Sequence, residues 1–339
     1  MTRLTSLLGA AVASIALFAG AASAQQLTGA GATFPAPVYT KWAEAVKAAT
    51  GIQLNYQAIG SGGGINQITN RTVDFGATDA PLAADKLASG NLVQVPTVMG
   101  GVVPIVNIPG VADDALKLTG ELLADIYLGK ITKWNDPRIV ELNRGVTLPN
   151  LAIAPAYRAD GSGTTFVFAS YLSAVSPEWK QKVGAATSVK WVVGNGARGN
   201  DGVAATVRQV RGGIGYVESA YATQNKLSAT QLRNRAGQFV KPSIDSFLAA
   251  AENGDWTANP NYAVSLIDTQ GAASWPIVSA TFILIPKDAK DPARTATAMK
   301  FFDWAYNNGD KIARDLEYVP LPAKVKDAIR ATWRTELKF

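Results

Sequence analysis

The sequence contains neither cysteine nor histidine. Without cysteine the chain forms no disulfide bond, although it can still fold in an oxidising compartment. Attachment of a lipid through a cysteine thiol is excluded for the same reason. Without histidine there is no imidazole to act as a catalytic base or as a metal ligand. Zinc enzymes, and hydrolases that pair a serine or cysteine nucleophile with histidine, are therefore poor candidates for the function.

Long apolar runs are scarce, and the one that exists stands at the amino terminus. Residues 4–18 are mostly apolar, Arg3 is the one charged residue among the first 24, and Ala22-Ser23-Ala24 has the A-x-A pattern of a cleavage site. This combination predicts a secretory signal peptide over residues 1–24 and a mature chain that starts near Gln25. No later run is long enough to span a bilayer, so we expect a soluble, secreted protein without a lipid anchor.

Charge is not concentrated in any part of the chain. The 339 residues include 32 lysines and arginines and 26 aspartates and glutamates, which gives a formal net charge of +6. The positive residues are scattered, without a basic run or an aromatic-basic motif, so we do not expect nucleic acid as a partner. A Walker phosphate loop and a dinucleotide-binding fingerprint are also absent. The length is sufficient for two domains.

Short apolar strands alternate with amphipathic helices along the mature chain. This alternation is typical of an α/β protein with largely parallel sheets, in which ligands bind at the carboxyl ends of the strands. The strands are predicted at Leu27–Ala32, Ile52–Ala58, Val73–Ala77, Leu92–Val98, Val102–Ile108, Ile153–Tyr157, Gly213–Val217 and Thr281–Ile285. The main helices are predicted at 38–49, Thr119–Leu128, Phe166–Leu172, Gly202–Val210, Ser219–Gln224, Thr295–Tyr306 and Lys324–Leu337. Residues 229–261 are polar and are assigned to no element.

Glycine-rich turns at 28–34, 60–64 and 158–165 follow three of these strands. In the third turn, hydroxyl side chains can cap the following helix, whose first amides lack partners and carry the positive end of the helix dipole. Such a helix start binds anions, and Arg158 adds a guanidinium matched to oxyanions. An ordinary capped turn with a surface ion pair fits this stretch equally well.

Nine motifs, in order over nearly the whole mature chain, resemble those of the periplasmic phosphate-binding proteins of bacterial phosphate-specific ABC importers. They are TGAGATFPAPVY (28–39), GSGGG (60–64), DFGATDAP (74–81), GGVVPIVNIPG (100–110), LADIYLGKITKW (123–134), RADGSGTTFVF (158–168), GNDGVAA (199–205), IGYVE (214–218) and FFDWAY (301–306).

The resemblance implies an α/β, two-lobed periplasmic binding protein fold of type II, with a hinge and a ligand cleft between the lobes. Residues 25–107 and 277–339 would form lobe 1, and residues 108–276 would form lobe 2. The implied function is capture of inorganic phosphate in the periplasm and its delivery to the permease and ATPase subunits of an ABC importer. No enzymatic activity, cofactor or metal is expected, and we expect a hinge-bending monomer.

The family's ligand residues fall on matching residue types in this sequence. The resemblance assigns phosphate binding to Thr33, Phe34, Ser61, Asp79, Arg158, Ser162, Gly163 and Thr164. Asp160 is expected to orient Arg158 from behind the site. An acid such as Asp79 fits an anion site only if the anion carries a proton, because a carboxylate can accept a hydrogen bond from hydrogen phosphate.

Besides a surface adhesin or scavenger, which would bind to cells and would not depend on a permease, two other functions remain open from the sequence. One is the binding of a different tetrahedral oxyanion. The other is a secreted phosphomonoesterase with Ser61 or Ser162 as nucleophile, which lacks a histidine base and an acidic cluster with metal-ligand spacing. Turnover of a chromogenic phosphomonoester would favour the enzyme, and stoichiometric retention of phosphate would favour the binding protein.

Overall fold

The computed structural model describes residues 25–256 and 258–337. The predicted signal peptide, residues 1–24, lies outside the described residues. Within these two ranges, no helix combines the length and the apolar character that crossing a membrane requires.

Strands and helices alternate along the chain. The strands are β1 (Gln26–Gly31), β2 (Gln53–Ala58), β3 (Phe75–Thr78), β4 (Leu92–Val106), β5 (Lys117–Leu118), β6 (Ala154–Arg158), β7 (Asn195–Ala197), β8 (Gly213–Glu218), β9 (Ser228–Ala229), β10 (Gln231–Arg233), β11 (Phe239–Val240), β12 (Leu266–Ile267) and β13 (Ile277–Pro286). The helices are α1 (Ala36–Thr50), α2 (Ser61–Thr69), α3 (Ala84–Ser89), α4 (Gly120–Tyr127), α5 (Pro137–Leu142), α6 (Gly163–Val175), α7 (Pro177–Lys182), α8 (Gly199–Gln209), α9 (Ser219–Gln224), α10 (Ile244–Ala251), α11 (Pro292–Asn308), α12 (Asp310–Asp315) and α13 (Ala323–Glu336).

Ten strands of the described residues form one mixed sheet, in the order β2-β1-β3-β13-β4-β8-β6-β7, with β12 beside β13 and β9 beside β4. The expectation of largely parallel sheets is wrong. The pairs β1–β2, β1–β3, β6–β7 and β6–β8 are parallel, but β13 is antiparallel to both β3 and β4, and β4 is antiparallel to β8. An apolar run shows that a strand is buried but does not show its direction, so the sequence left this feature hidden.

Strand β4 connects the two halves of the sheet. Its residues from Leu92 to Gly101 pair with β13, and those from Val102 to Val106 pair with β8. The sequence predicts two separate strands here, interrupted by Gly100 and Gly101. The structure continues the strand through both glycines. A Cβ at Gly101 would lie 2.2 Å from the Phe247 ring, so a glycine is needed at this position for the ring to pack. These glycines therefore make room for packing and do not mark a turn.

Helix α1 shows how local sequence positions the site. The helix begins after Pro35, and a further proline stands in its first turn. Both prolines restrict the backbone to helical φ angles, and Gly51 ends the helix with a φ of 78°. Val38, Tyr39, Trp42 and Val46 form its buried face. This face anchors the helix against the sheet, so that the residues before it are held at the carboxyl end of β1.

Residues 229–261, to which the sequence assigns no element, contain two short strands and helix α10 in the structure. Ser243 and Ser246 form a reciprocal capping box at the start of α10. Further along, the Asn261 carbonyl accepts a hydrogen bond from Gln94, and the Tyr262 hydroxyl contacts Thr332 at 2.8 Å. Residues 261 and 262, which precede β13, thus contact elements of predicted lobe 1. The lobe limits at 107 and 277 stay a prediction.

Candidate functional site

The carboxyl ends of three strands and the amino termini of three helices meet at one place. The connection from β1 to α1 supplies Thr33 and Phe34, the start of α2 supplies Ser61, and Asp79 follows β3. From the other half of the sheet, Arg158 ends β6, and Ser162, Gly163 and Thr164 start α6. The structure therefore brings together all eight predicted ligand residues, whose role in binding stays a prediction. All eight are buried.

Glycines allow the two sides to approach each other closely. The Gly62 amide donates to the Gly161 carbonyl at 2.9 Å. A Cβ at Gly163 would lie 2.5 Å from Ser61 Oγ. Of the motif at 60–64, Gly60 alone lies in the turn, with φ of 87°, and the expected glycine turn is instead the first turn of α2.

Arg158 is buried and held by an acidic neighbour. Its Nε donates to Asp160 Oδ1 at 2.8 Å, and its Nη2 donates to Oδ2 of the same carboxylate. Asp160 Oδ1 also accepts from the Gly199 amide at 3.1 Å. Burial works to raise the pKa of Asp160, but the hydrogen bonds and charge of Arg158 outweigh it, so the pKa is lowered and the carboxyl stays ionised. The guanidinium plane is fixed by this pair.

Asp79 is an almost fully buried acid, only 1% exposed. Its Oδ1 accepts a hydrogen bond from the Thr281 hydroxyl at 2.8 Å. Its Oδ2 is buried and has no hydrogen-bond partner among the described residues. Burial raises the pKa of Asp79 to about 7, although the Thr281 hydrogen bond, the charge of Arg158 and the nearby Thr164 hydroxyl act in the opposite direction. The carboxyl therefore changes its protonation state near neutral pH.

The hydroxyl of Ser61 is arranged as a hydrogen donor. Its Oγ accepts from the Asp79 amide at 3.2 Å and from the Gly163 amide at 3.0 Å. A serine hydroxyl has two lone pairs and one hydrogen, so two accepted bonds leave the hydrogen to be donated elsewhere. Ser162 plays a different part, since its Oγ caps α6 by accepting from the Thr165 amide at 3.0 Å.

The backbone at Thr33 and Phe34 is held by two tyrosines. The Tyr221 hydroxyl donates to the Thr33 carbonyl at 2.6 Å, and the Tyr318 hydroxyl lies 2.6 Å from the Phe34 carbonyl. Because the carbonyl of Thr33 and the amide of Phe34 belong to one rigid peptide unit, the Tyr221 bond also fixes the direction of the Phe34 N–H. Tyr221 belongs to α9, so this bond joins the two sides of the site.

Sequence reasoning missed Asn200, Thr281 and Tyr221. Asn200 lies at the start of α8 within the motif at 199–205, where a strand, a glycine with φ of 72° and a helix follow one another. The same pattern at 158–165 indicates a ligand site, so the sequence around Asn200 carries an equivalent signal. Thr281 lies inside the buried strand β13, and Tyr221 lies in the short helix α9, where no local pattern indicates a role.

The site as a whole offers many donors and one acceptor. Hydroxyls, helix-start amides and a guanidinium surround the carboxylate oxygen Oδ2 of Asp79. Such a set suits a tetrahedral oxyanion that carries at least one proton. The donors of the site could bond the oxygens of such an anion, and Asp79 could accept a hydrogen bond from its hydroxyl. Among the described residues, no cluster of acidic side chains has the arrangement of a metal site.

Comparison with known proteins agrees with this geometry. A model of the PBP superfamily domain matches residues 18–308. The phosphate-binding protein PstS of Pasteurella multocida is 52% identical over 321 residues, which cover 95% of this chain and 93% of the relative. The protein of the same name from Haemophilus influenzae is 51% identical over 317 residues, covering 94% and 95% of the two chains.

Solved structures with lower identity share the fold. A high-affinity periplasmic phosphate-binding protein, PfluDING, solved with phosphate, superposes with a TM-score of 0.70 at 21% identity over 91% of this chain and 94% of its own. A phosphate-binding protein from Stenotrophomonas maltophilia gives a TM-score of 0.69 at 23% identity over 91% and 94%. The chain belongs to the PBP superfamily and, within it, to the family of the phosphate-binding proteins PstS.

Proposed function

We propose that this chain binds inorganic phosphate between its two lobes and delivers it to the membrane permease of an ABC-type phosphate importer. Membership in the PstS family supports the ligand, since the relatives of 52% and 51% identity carry the name phosphate-binding protein. The ligand residues in this proposal are Thr33, Phe34, Ser61, Asp79, Arg158, Ser162, Gly163 and Thr164, with Asp160 holding Arg158.

The observation that carries the proposal is the buried, unpartnered Oδ2 of Asp79 among hydrogen donors. A buried carboxylate oxygen without a partner is costly in free energy, so its presence needs a functional reason. The hydroxyl of a bound hydrogen phosphate supplies the missing donor. Sulfate, the alternative oxyanion, has no hydrogen to offer. It would bring a lone pair against this oxygen whenever Asp79 is ionised, which it mostly is above its pKa of about 7.

We propose that the protein is not an enzyme. A serine nucleophile needs an adjacent base, but the hydrogen-bond partners of Ser61 Oγ and Ser162 Oγ within the described ranges are backbone amides. The two acids of the site accept hydrogen bonds from other residues: Asp79 from Thr281, and Asp160 from Arg158. Neither serine hydroxyl is therefore hydrogen-bonded to a group that could take its proton, as a phosphomonoesterase mechanism requires.

The setting of this function is the periplasm. The signal peptide predicted at residues 1–24 would export the chain, and its removal would leave a protein that carries phosphate across the periplasmic space. The permease and the ATPase subunits of the importer would be its partners. We expect the chain to act as a monomer.

Two measurements on the purified chain from Gln25 test the proposed function. Equilibrium dialysis with radiolabelled phosphate should show one phosphate retained per chain. Incubation with a chromogenic phosphomonoester should release no dye. Turnover of the ester would favour the phosphomonoesterase, and a chain that retains no phosphate would overturn the binding function.

A further inference from the structure

Asn200 lies between the two sides of the site and is fully buried. Its Oδ1 accepts the amide hydrogen of Glu218 at 3.0 Å. Since a backbone amide can only donate, this bond fixes the orientation of the side-chain amide and turns its NH2 group toward the site. From there Nδ2 donates to Thr33 Oγ1 at 2.8 Å and to Thr164 Oγ1 at 3.2 Å.

The count of lone pairs then determines where the hydroxyl hydrogens point. Thr33 Oγ1 accepts from both the backbone and the side-chain nitrogen of Asn200, at 3.2 Å and 2.8 Å. Thr164 Oγ1 accepts from Asn200 and, at 3.5 Å, from Nη1 of Arg158. Each hydroxyl has two lone pairs and one hydrogen. Both lone pairs are occupied, so each hydrogen is directed away from Asn200. The Thr33 hydrogen remains to be donated, and the Thr164 hydrogen faces the Asp79 carboxyl at the anion site.

We propose that Asn200 is a positioning residue of the anion site, which turns the hydroxyls of Thr33 and Thr164 into donors toward the bound anion. This inference rests on the proposed function. Asn200 and Thr164 belong to predicted lobe 2, and Thr33 belongs to lobe 1. Asn200 therefore orients the Thr33 hydroxyl only when the two sides are in contact, which couples closure of the cleft to completion of the donor set.

The first test is calorimetric titration of phosphate into the Asn200→Asp variant at pH 8. The introduced carboxylate accepts from both hydroxyls, takes their hydrogens away from the ligand and adds a negative charge, so the dissociation constant should rise by about 100-fold or more. The matched control is Asn253→Asp, at an exposed asparagine whose side-chain amide also donates to backbone carbonyls, those of Ala249 and Gln270. The control should bind phosphate within about twofold of the unaltered chain. Asn200→Asp binding phosphate as tightly as that control would overturn the proposal.

A second test separates orientation of the hydroxyls from support of the fold. Asn200→Ala should weaken phosphate binding by about tenfold or more in the unaltered chain. In a chain that already carries Thr33→Val and Thr164→Val, the same change should alter the affinity by less than about twofold, since no hydroxyl remains to be oriented. An equal loss in both backgrounds would assign Asn200 a merely structural role and contradict the proposal.

A third measurement needs neither a variant nor phosphate. Neutron diffraction from a deuterated crystal of the unaltered chain should place the deuterium atoms of Thr33 and Thr164 on the sides away from Asn200 Nδ2. Deuterium on either hydroxyl directed at Asn200 would overturn the orientation argument. This result stands apart from the proposed function, which fails by itself if the unaltered chain does not take up phosphate.

Discussion

The chemistry of the site depends on where single protons lie, and Asp79 shows this most clearly. With a pKa raised to about 7, its carboxyl is protonated in mildly acidic solution and ionised above neutrality. A protonated Asp79 beside doubly charged hydrogen phosphate has the same proton count as an ionised Asp79 beside singly charged dihydrogen phosphate. These two states differ only in which oxygen carries the shared proton, so one hydrogen bond joins Asp79 and phosphate in both.

Arg158 should contribute more to phosphate affinity than any one hydroxyl of the site. Its charge-assisted bonds are roughly twice as strong as neutral ones, and Asp160 already holds its guanidinium in place. We expect Arg158→Ala to weaken binding more than Ser61→Ala, and Arg158→Lys to restore binding only in part, because an ammonium lacks the planar fork. Calorimetric titration of the three variants compares them, and a larger loss for Ser61→Ala would reverse this ranking.

Glu218 should make the stability of the fold depend on pH. The Tyr318 hydroxyl has one hydrogen, yet it lies 2.6 Å from the Phe34 carbonyl and 2.7 Å from Glu218 Oε2, so a proton on Glu218 is needed to fill both contacts. Burial raises the pKa of Glu218 well above its ordinary value, with a smaller contribution from the charges of Glu317 and Asp79. Between its unfolded and folded pKa values the folded state holds the extra proton, so stability falls as pH rises.

We expect the free energy of unfolding to fall as the pH rises above the ordinary pKa of a glutamate carboxyl, by up to about 1.4 kcal/mol per pH unit from this group. Above its own pKa of about 7, Asp79 is mostly ionised and adds little to this slope. Urea unfolding across this range should give a flatter profile for Glu218→Gln, while the exposed control Glu252→Gln should follow the unaltered chain. Parallel profiles for all three chains would show that Glu218 carries no proton in the folded state.

The residues of the site were predictable where they stand in short local patterns and hidden where they do not. A glycine-rich turn after a strand, with hydroxyls at the start of a helix, marks the residues from Arg158 to Thr164. Asp79 required the family resemblance, since an acid before Ala-Pro is also an ordinary turn residue. Thr281 supports Asp79 from a strand 202 residues away, and only the folded chain brings the two together.

Helix starts and tight approaches between elements shape the site as much as the polar groups do. Gly163 opens α6 directly opposite Ser61 and Asp79, and a Cβ there would lie 2.6 Å from Asp79 Oδ2. We expect Gly163→Ala to displace both side chains and to weaken phosphate binding by about tenfold or more, since overpacking a buried contact costs about 1–3 kcal/mol. Titration with phosphate measures the loss.

Gly202 provides the matched control for this substitution. It lies in α8, and a Cβ there would have its nearest neighbours at 3.6 Å and 3.7 Å, an ordinary contact distance. Gly202→Ala should therefore bind phosphate as the unaltered chain does and should be slightly more stable, because alanine restricts the unfolded chain. Equal affinities for both alanine variants would mean that the approach at Gly163 does not matter.

Elements with strong local signals were predicted well. The Thr119 hydroxyl caps α4 by accepting from Leu122 at 3.2 Å, as its position before an apolar helical pattern indicated. The strand at Gly213–Val217 and the two long helices near the carboxyl terminus were also confirmed. Residues 229–261 gave no such signal, because β10 and β11 are only three and two residues long, and β10 pairs with the distant β5 as well as with β11.

The two predicted lobes meet through specific bonds at the site. Tyr221 donates to the Thr33 carbonyl, and the Gly62 amide donates to the Gly161 carbonyl, each across the boundary between the lobes. Because the ligand residues are divided between the lobes, binding should draw them together by rotation about the hinge. Small-angle scattering should show a smaller radius of gyration with saturating phosphate than without it. An unchanged radius at saturation would argue against closure.

The lobed architecture itself could be predicted only through the family resemblance. Alternating strands and helices indicated an α/β protein, but the antiparallel insertion of β13 and the passage of β4 through both halves follow from long-range pairing. Such pairing joins segments almost 200 residues apart, and local patterns carry no information about it. The residues at which one lobe ends and the other begins are still a prediction.

The central claim is that Asp79 selects phosphate by accepting a hydrogen that sulfate lacks. Its most direct test is competition of sulfate against labelled phosphate at pH 8, where Asp79 is mostly ionised. The two anions have nearly the same shape, and sites of this kind reject a ligand that leaves a polar group unpaired by roughly 10⁴–10⁵-fold. We expect a thousandfold excess of sulfate to displace almost no phosphate from the unaltered chain, and to displace it more readily from Asp79→Asn. Displacement from the unaltered chain at comparable concentrations would contradict the claim.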